Sequence, residues 1–342
     1  MTNSSGPAQK NVIECTVKPS EFPTTITGFN PASETALKSI YIIIIATAIL
    51  LNITILFAFT RRGIKLTALN LLLLSLVSAD LFTAVGTCPY IAVHPRELAE
   101  YSERMADFLC SITFGQTLFW IGNSASVFTL CILSINRYLL INHPTKPLVF
   151  LVKRRRTSLA AATVGWLLGI LLVLPNFFSR KFDHCTLTCP REWPLRFDDS
   201  TYAITTTILG YGVPVTALFY TFFATVRTMW FKKRPPGSDT AVRNSRRRVV
   251  ILLGTFIFVF CCCWSPFVIY WILSRTTNFF PDGRAGHYAR AKANHVTILI
   301  SLCNSVVNPI VYGLQSPSIK NALCLRPLRD YHYRGSNPTN EL

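Results

Sequence analysis

Asp80, in "LSLVSADLF", is a carboxylate set inside a long apolar run. An acid at such a depth is expensive, so it marks a candidate site by default. Asn52, Ser126, Asn304, Ser305 and Asn308 are the polar residues at comparable depth in other apolar runs. Turning Asp80 toward them makes a small polar pocket able to hold water or a cation; the same set could serve only as a buried hydrogen-bond network that fixes packing. Arg137, in "SINRYLLINHP", stands at the end of another apolar run. Its stem can lie in hydrocarbon while the guanidinium reaches water, as a contact for a partner or as a membrane-edge anchor. The histidines, His94, His143, His184, His287, His295 and His332, lie scattered without metal-ligand spacing. No coherent catalytic set emerges, and an enzyme is not expected.

These residues need elements to hold them. Half of the 342 residues are apolar and only 15% are charged, well below the roughly 25% of soluble domains. The apolar residues fall in blocks at about 39–60, 67–92, 108–136, 158–178, 201–226, 248–273 and 295–314. Each is long enough to cross a bilayer, and lipid leaves the backbone of such a run no structure but a helix. The fold expected is an all-α integral membrane protein: an outer N-terminal segment over 1–37, a seven-helix bundle over 38–314 and a tail over 315–342.

Charge orients the bundle. The loops "RRGIK", "KRRR" and "FKKRPPGSDTAVRNSRRR" hold nearly all the unbalanced Lys and Arg and one acid, Asp239, whereas the opposite loops carry Glu97, Glu100, Glu103, Asp107, Asp183, Glu192, Asp198 and Asp199. The basic loops are therefore cytoplasmic, with the N-terminus outside and the C-terminus inside. The +18 net charge is a topology and lipid-contact signal rather than one for nucleic acid. Cys110, Cys185 and Cys189 then face an oxidising compartment. A cross-link from Cys110 to Cys185 or Cys189 is expected; spacing does not choose between them, and Cys15 or Cys88 is available to the other. Cys131, Cys261, Cys262, Cys263 and Cys303 read as small apolar fillers. Asn3 in "NSS" is an outward acceptor for N-glycosylation, while Asn52 in "NIT" lies within helix one.

Motifs in successive blocks carry a family resemblance: "LLNITIL", "LSLVSADLF", "SINRYLLINHP", "VGWLLGILLVLP" with Trp166, Pro214 in helix five, "FVFCCCWSPF" and "NSVVNPIVY". From residue 38 to about 325 the chain resembles a rhodopsin-type (class A) G-protein-coupled receptor of the plasma membrane. The resemblance implies that Arg137 and Tyr138 belong to the cytoplasmic coupling motif. It makes Phe260 and Trp264 the aromatic switch beneath the ligand, with Pro266 beside them, and Asn308, Pro309 and Tyr312 the helix-seven activation motif. Asp80, Ser126, Asn304, Ser305 and Asn308 match positions that enclose an allosteric sodium ion in the family. No other cofactor is implied; a heterotrimeric G protein and arrestin are the implied inner partners. Pro214, Pro266 and Pro309 each remove a helical hydrogen bond, which suits helices that alternate between two packings.

Departures from the family pattern carry their own expectations. Asn136 stands where an acid usually precedes the arginine, and Arg246 where helix six usually carries one. Both restraints on Arg137 are missing, which predicts loose holding of the inactive state. Phe222 replaces an inward tyrosine, and Cys110 stands 27 residues before Arg137, a longer spacing than usual, so the outer end of helix three should start differently. A short helix eight is expected around Ile319 and Lys320, with Cys324 available for lipidation.

The ligand is less defined. Phe119 and Leu302 stand where aminergic receptors and opsins carry their ligand-binding aspartate and lysine, which argues against both. Phe119, Trp120, Tyr211 and Trp264 are the candidate ligand contacts and suit an aromatic or apolar group. A peptide fits the polar N-terminus and charged second outer loop, whose acids could meet a basic peptide end; a small molecule or lipid stays open. Melatonin-type receptors share an arrangement like Asn136–Tyr138, but their helix-seven motif differs from "NPIVY". Neither the inverted repeat of a transporter nor the polar rings of a channel is visible.

Overall fold

The computed structural model describes residues 30–61, 66–193, 198–231, 240–315 and 319. Asn3, Cys15, Lys320 and Cys324 lie outside them. The helices are α1 (Pro31–Arg61), α2 (Ala68–Ala92), α3 (Glu103–Thr113), α4 (Thr117–Asn142), α5 (Pro147–Val152), α6 (Arg155–Ser179), α7 (Asp199–Thr207), α8 (Val213–Phe231), α9 (Thr240–Thr276), α10 (Arg284–Leu302) and α11 (Asn304–Gln315). They form seven helical spans long and apolar enough to cross a membrane. Span three joins α3 to α4, span five joins α7 to α8 through a π-helical turn at Ile208–Gly212, and span seven joins α10 to α11. Among the described residues there is no sheet, only two isolated bridges within the second outer loop, Arg180 with Arg191 and Asp183 with Thr188.

Helix one begins at Pro31, before the apolar block, because its start is written in polar residues. Asn30 Oδ1 accepts from the Ser33 N–H at 2.8 Å, the arrangement of an N-cap, with proline next in line. Two other local departures lie beside prolines. The π turn closes just before Pro214, which has no N–H to offer the helix. Pro309 leaves the Ser305 carbonyl without its helical donor, and Asn52 Nδ2 takes that carbonyl at 2.9 Å, tying span one to span seven.

Span three, the most enclosed of the seven, departs from the single helix expected at 108–136. It runs Glu103–Asn142 and breaks at Phe114–Gln116, where Gln116 adopts φ 52°. The break absorbs the long spacing between Cys110 and Arg137. The N–H groups of Phe114 and Gly115 both turn back to the Cys110 carbonyl at 2.9 Å, and a Cβ on Gly115 would run into the Ser111 carbonyl. Thr117 Oγ1 satisfies that carbonyl at 2.7 Å and Asn176 Nδ2 the Gly115 carbonyl at 3.1 Å. Below the break α4 packs tightly on α2: a Cβ on Gly122 would sit 2.5 Å from Thr83 Oγ1, the small-residue contact that lets membrane helices approach closely. Trp166 of α6 donates Nε1–H to Ser75 Oγ at 3.2 Å, closing the contact among spans two, three and four.

Candidate functional site

Three constellations line the bundle from outside to inside. The outer ends of the spans enclose a cavity of about 200 Å³. It adjoins a deeper one of about 90 Å³, the two sharing Trp120, Arg191, Phe267 and Trp271. Trp120, Tyr211 and Trp264 all reach these walls. Phe119 does not: it is fully buried in the core, edge-on to Trp120 at 4.9 Å. Consecutive helical residues point about 100° apart, so one of the pair faces the cavity and the other packs behind it. On α9, Phe260, Trp264, Phe267 and Trp271 follow helical spacing and share a face. Trp120 meets Phe267 at 4.6 Å and Trp264 at 6.1 Å, and Tyr211 stacks on Phe260 at 5.6 Å while its hydroxyl meets Ser265 Oγ at 2.7 Å.

The outer wall is cationic. Arg180, Arg191, Arg275 and Arg290 all line the larger cavity. Asp199 is paired with two of them, Arg275 at 2.7 Å and Arg191 at 3.6 Å. Both of these guanidinium carbons lie 5.0 Å from the Trp271 ring centroid, within cation–π range. Asn176 links this group to the helix-three break, accepting from Arg191 Nε at 2.9 Å while donating to Gly115. Burial, then repulsion from Arg275, lowers the Arg180 pKa to about 10, and burial with repulsion from Arg180 and Arg275 holds Arg191 well below its ordinary value. A guanidinium stays protonated in proteins at neutral pH, so the wall is cationic.

Three of the outer aspartates are committed within the protein. Asp107 takes the Lys181 ammonium at 2.9 Å and the Phe182 N–H at 2.7 Å, and Asp183 holds its own turn through Cys185 N and Thr186 Oγ1. Asp198 caps α7. The sign of the cavity is thus opposite to that expected of a site for a basic peptide end. The second outer loop is pinned by a Cys110–Cys189 disulfide. Cys185 is disulfide-bonded as well, and Cys88 is free.

At mid-depth Asp80 is fully buried and satisfied by three side chains. Ser126 Oγ donates at 2.9 Å and Ser305 Oγ at 3.4 Å to one oxygen, and Asn308 Nδ2 donates at 2.9 Å to the other. Asn304 is buried in the same turn as Ser305, and Asn52 binds the Ser305 carbonyl rather than the acid. Asn123, one turn from Ser126, is buried with neither side-chain polar atom paired. The pocket offers one carboxylate and the hydroxyl oxygens of Ser126 and Ser305, a donor set fit for a monovalent hard cation.

At the inner end Asn136 turns away from its neighbour, donating Nδ2–H to the Val152 carbonyl of α5 at 3.3 Å. Arg137 makes no ion pair among the described residues, and its buried Nε has no partner. Tyr138 OH meets His143 Nε2 at 3.3 Å. Pro266 and Pro309 lie within α9 and α11. Tyr312 and Arg246 sit on helical backbone, and their side chains lie outside the described residues. The helix-eight region does too, apart from Ile319, which is buried in the core.

Seven apolar spans, a disulfide-pinned outer loop, a buried midplane acid and an inner arginine define a heptahelical membrane receptor. Residues 51–312 match the family described as 7 transmembrane receptor (rhodopsin family), and the chain belongs to it. It is similar to the somatostatin receptor type 5 of Bos taurus, with 25% identity over 311 residues, covering 88% of this chain and 80% of that one. It is similar also to the QRFP-like peptide receptor of Branchiostoma floridae, 24% over 305 residues (85% and 77%). The human galanin receptor type 2 is 30% identical over 272 residues (78% and 66%).

The four outer arginines were not singled out in the sequence. A signal existed: Arg96, Arg104, Arg180, Lys181, Arg191, Arg275, Arg290 and Lys292 all stand on the outer side, where the positive-inside bias disfavours them. Counting net loop charge let the neighbouring acids conceal them.

Proposed function

We propose that the chain senses an extracellular peptide and passes the signal to a heterotrimeric G protein, with arrestin as a second inner partner. The observation that carries this reading is its similarity, over most of its length, to receptors named for peptides. In this reading the ligand enters the outer cavity and contacts Trp120, Tyr211 and Trp264. The α9 aromatic face, with Pro266 in the same helix, relays the change in occupancy. Asn308, Pro309 and Tyr312 repack with it, and Arg137 and Tyr138 receive the G protein. In this reading two separate sites on one bundle are coupled through two states, as allostery requires.

Asp80, Ser126 and Ser305 would hold a sodium ion that favours the inactive packing, with Asn304 and Asn308 closing the pocket. The ion would supply a positive charge that compensates the buried carboxylate; the chain's own groups do the orienting. A smaller ligand is the second reading, favoured by the size of the two cavities, which suit one side chain or a small molecule better than a long peptide.

The test is a ligand-free panel of cAMP, calcium and G-protein dissociation sensors in cells expressing the wild type and Arg137→Ala at matched surface levels, repeated with any ligand found. Coupling lost in the variant with ligand binding retained is the expected result. Full signalling by the variant would remove Arg137 from its role.

A further inference from the structure

We propose that the outer cavity binds a carboxylate carried on an aromatic or apolar body, held by Arg180, Arg275 and Arg290 above the aromatic wall. The inference rests on the outer cavity being the ligand site and deepens that reading by giving the ligand its charge. Four guanidinium groups line one cavity of about 200 Å³. Asp199 pairs with two of them and no acid lines the wall, an excess of about three positive charges. Among the described residues Arg290 has no ion pair or hydrogen bond, its guanidinium lying 5.7 Å from the Phe280 ring centroid. The Nε atoms of Arg180, Arg275 and Arg290 are all buried without a partner.

Holding like charges together away from water costs free energy that packing alone does not return. An anion at their centre offsets that cost, and the planar fork of arginine matches the two oxygens of a carboxylate. The rest of the ligand is set by what lies beneath. Trp271, Phe267 and Trp120 run from the arginines into the deeper cavity of about 90 Å³, which takes a ring or branched chain. Two sources share this chemistry: the C-terminal residue of a peptide with a free carboxylate, and a free amphiphilic acid.

The test uses the purified full-length receptor in nanodiscs and reads thermal stability. One arm compares a randomised tetrapeptide pool as free acids with the same pool as C-terminal amides. The other compares monocarboxylic acids of about six to fourteen carbons, aromatic and straight-chain, with their primary amides, each at about 1 mM. Acids of at least one arm should stabilise the receptor at concentrations about tenfold or more below those of their amides, and the arm that succeeds names the source. Arg290→Gln, which breaks no hydrogen bond or ion pair among the described residues, and Arg180→Gln, which also gives up the bond to the Cys189 carbonyl, should each weaken the acid effect about tenfold, while Arg290→Lys should keep part of it. Equal stabilisation by acid and amide, an acid effect that survives both glutamine variants, or no stabilising acid in either arm overturns the proposal. Because the readout needs no G protein, it separates the two ideas. An amidated peptide that signals equally through wild type and both glutamine variants would sink the carboxylate site and leave the receptor reading standing. A stabilising acid that evokes no signal would support the site and count against it as the trigger.

Discussion

Replacing Asn136 with Asp should quiet the receptor in the absence of ligand. Asn136 is buried and spends its amide on the Val152 carbonyl at 3.3 Å, leaving the adjacent Arg137 without an anionic partner among the described residues. A carboxylate at 136 would lie within reach of that guanidinium, since the arginine stem can fold back over the preceding turn. At about 4 Å and an effective dielectric near 20 the gross attraction is about 4 kcal/mol. Desolvating the new carboxylate takes back about 1.6 kcal/mol of this, and the lost Val152 bond about 1 kcal/mol more. The net of about 1.4 kcal/mol favours the packing in which Arg137 is tucked in, and shifts the two-state ratio about tenfold. Basal second-messenger output, measured at matched surface expression, should fall by that factor. Asn136→Ala is the control, because it removes the Val152 bond and adds no charge. Basal output from the Asp variant equal to or above wild type, an equal fall in the Ala variant, or a wild type no more active than mock-transfected cells would refute the reasoning.

Other perturbations test the framework that holds the site. Asn176→Ala should destabilise the purified receptor by about 3 kcal/mol, since it strips a donor from Gly115 and an acceptor from a buried arginine. Asn176→Asp keeps the arginine contact and should cost less than half as much; the two costing the same in thermal unfolding would break the proposed link. Gly122→Val should lose surface expression and cost about 1–3 kcal/mol, because its Cβ would meet Thr83 N at 2.8 Å and the Ala79 carbonyl at 3.0 Å, whereas Gly165→Ala, with nothing nearer than 3.5 Å, should be close to neutral. Sodium chloride at about 150 mM, compared with the choline salt at equal ionic strength, should raise the melting temperature of the wild type but not of Asp80→Asn. An equal response in both would remove the ion from the Asp80 cluster.

The bundle was legible because lipid leaves a chain few options: blocks of about twenty apolar residues must become helices, and loop charge orders them. Helix ends were less so. Pro31 and Asn30 lie in a polar stretch whose capping logic a hydropathy reading passes over, and the break at Phe114–Gln116 is set by groups far apart in sequence, Asn176 among them. What could be read was the surplus length that the break takes up, from the spacing of Cys110 to Arg137. The Asp80 cluster was legible in part for a different reason: an acid at that depth needs donors, and Ser126, Ser305 and Asn308 supply them while Asn52 turns to a carbonyl. Asn123 escaped because an asparagine near an aromatic pair gives no sign of which way it points.

The outer site shows why charge counting orients a membrane protein yet misses its ligand chemistry. Orientation depends on sums, and the outer loops sum to something unremarkable because Asp107, Asp183, Asp198 and Asp199 offset their basic neighbours. Chemistry depends on which charges remain after local partners are taken. Asp107 goes to Lys181 and the Phe182 N–H, Asp183 to its own turn and Asp198 to a helix cap. Of these four aspartates only Asp199 meets the cavity arginines, two of them. Three aspartates that make the sequence look ready for a basic ligand are consumed in building the loop and capping a helix, and four of the outer cations line the cavity. Under the proposed reading, the chemistry a ligand would meet is therefore set by the fold of the second outer loop, through the Cys110–Cys189 bond and the Asn176 bridge to α4, as much as by the residues it would touch.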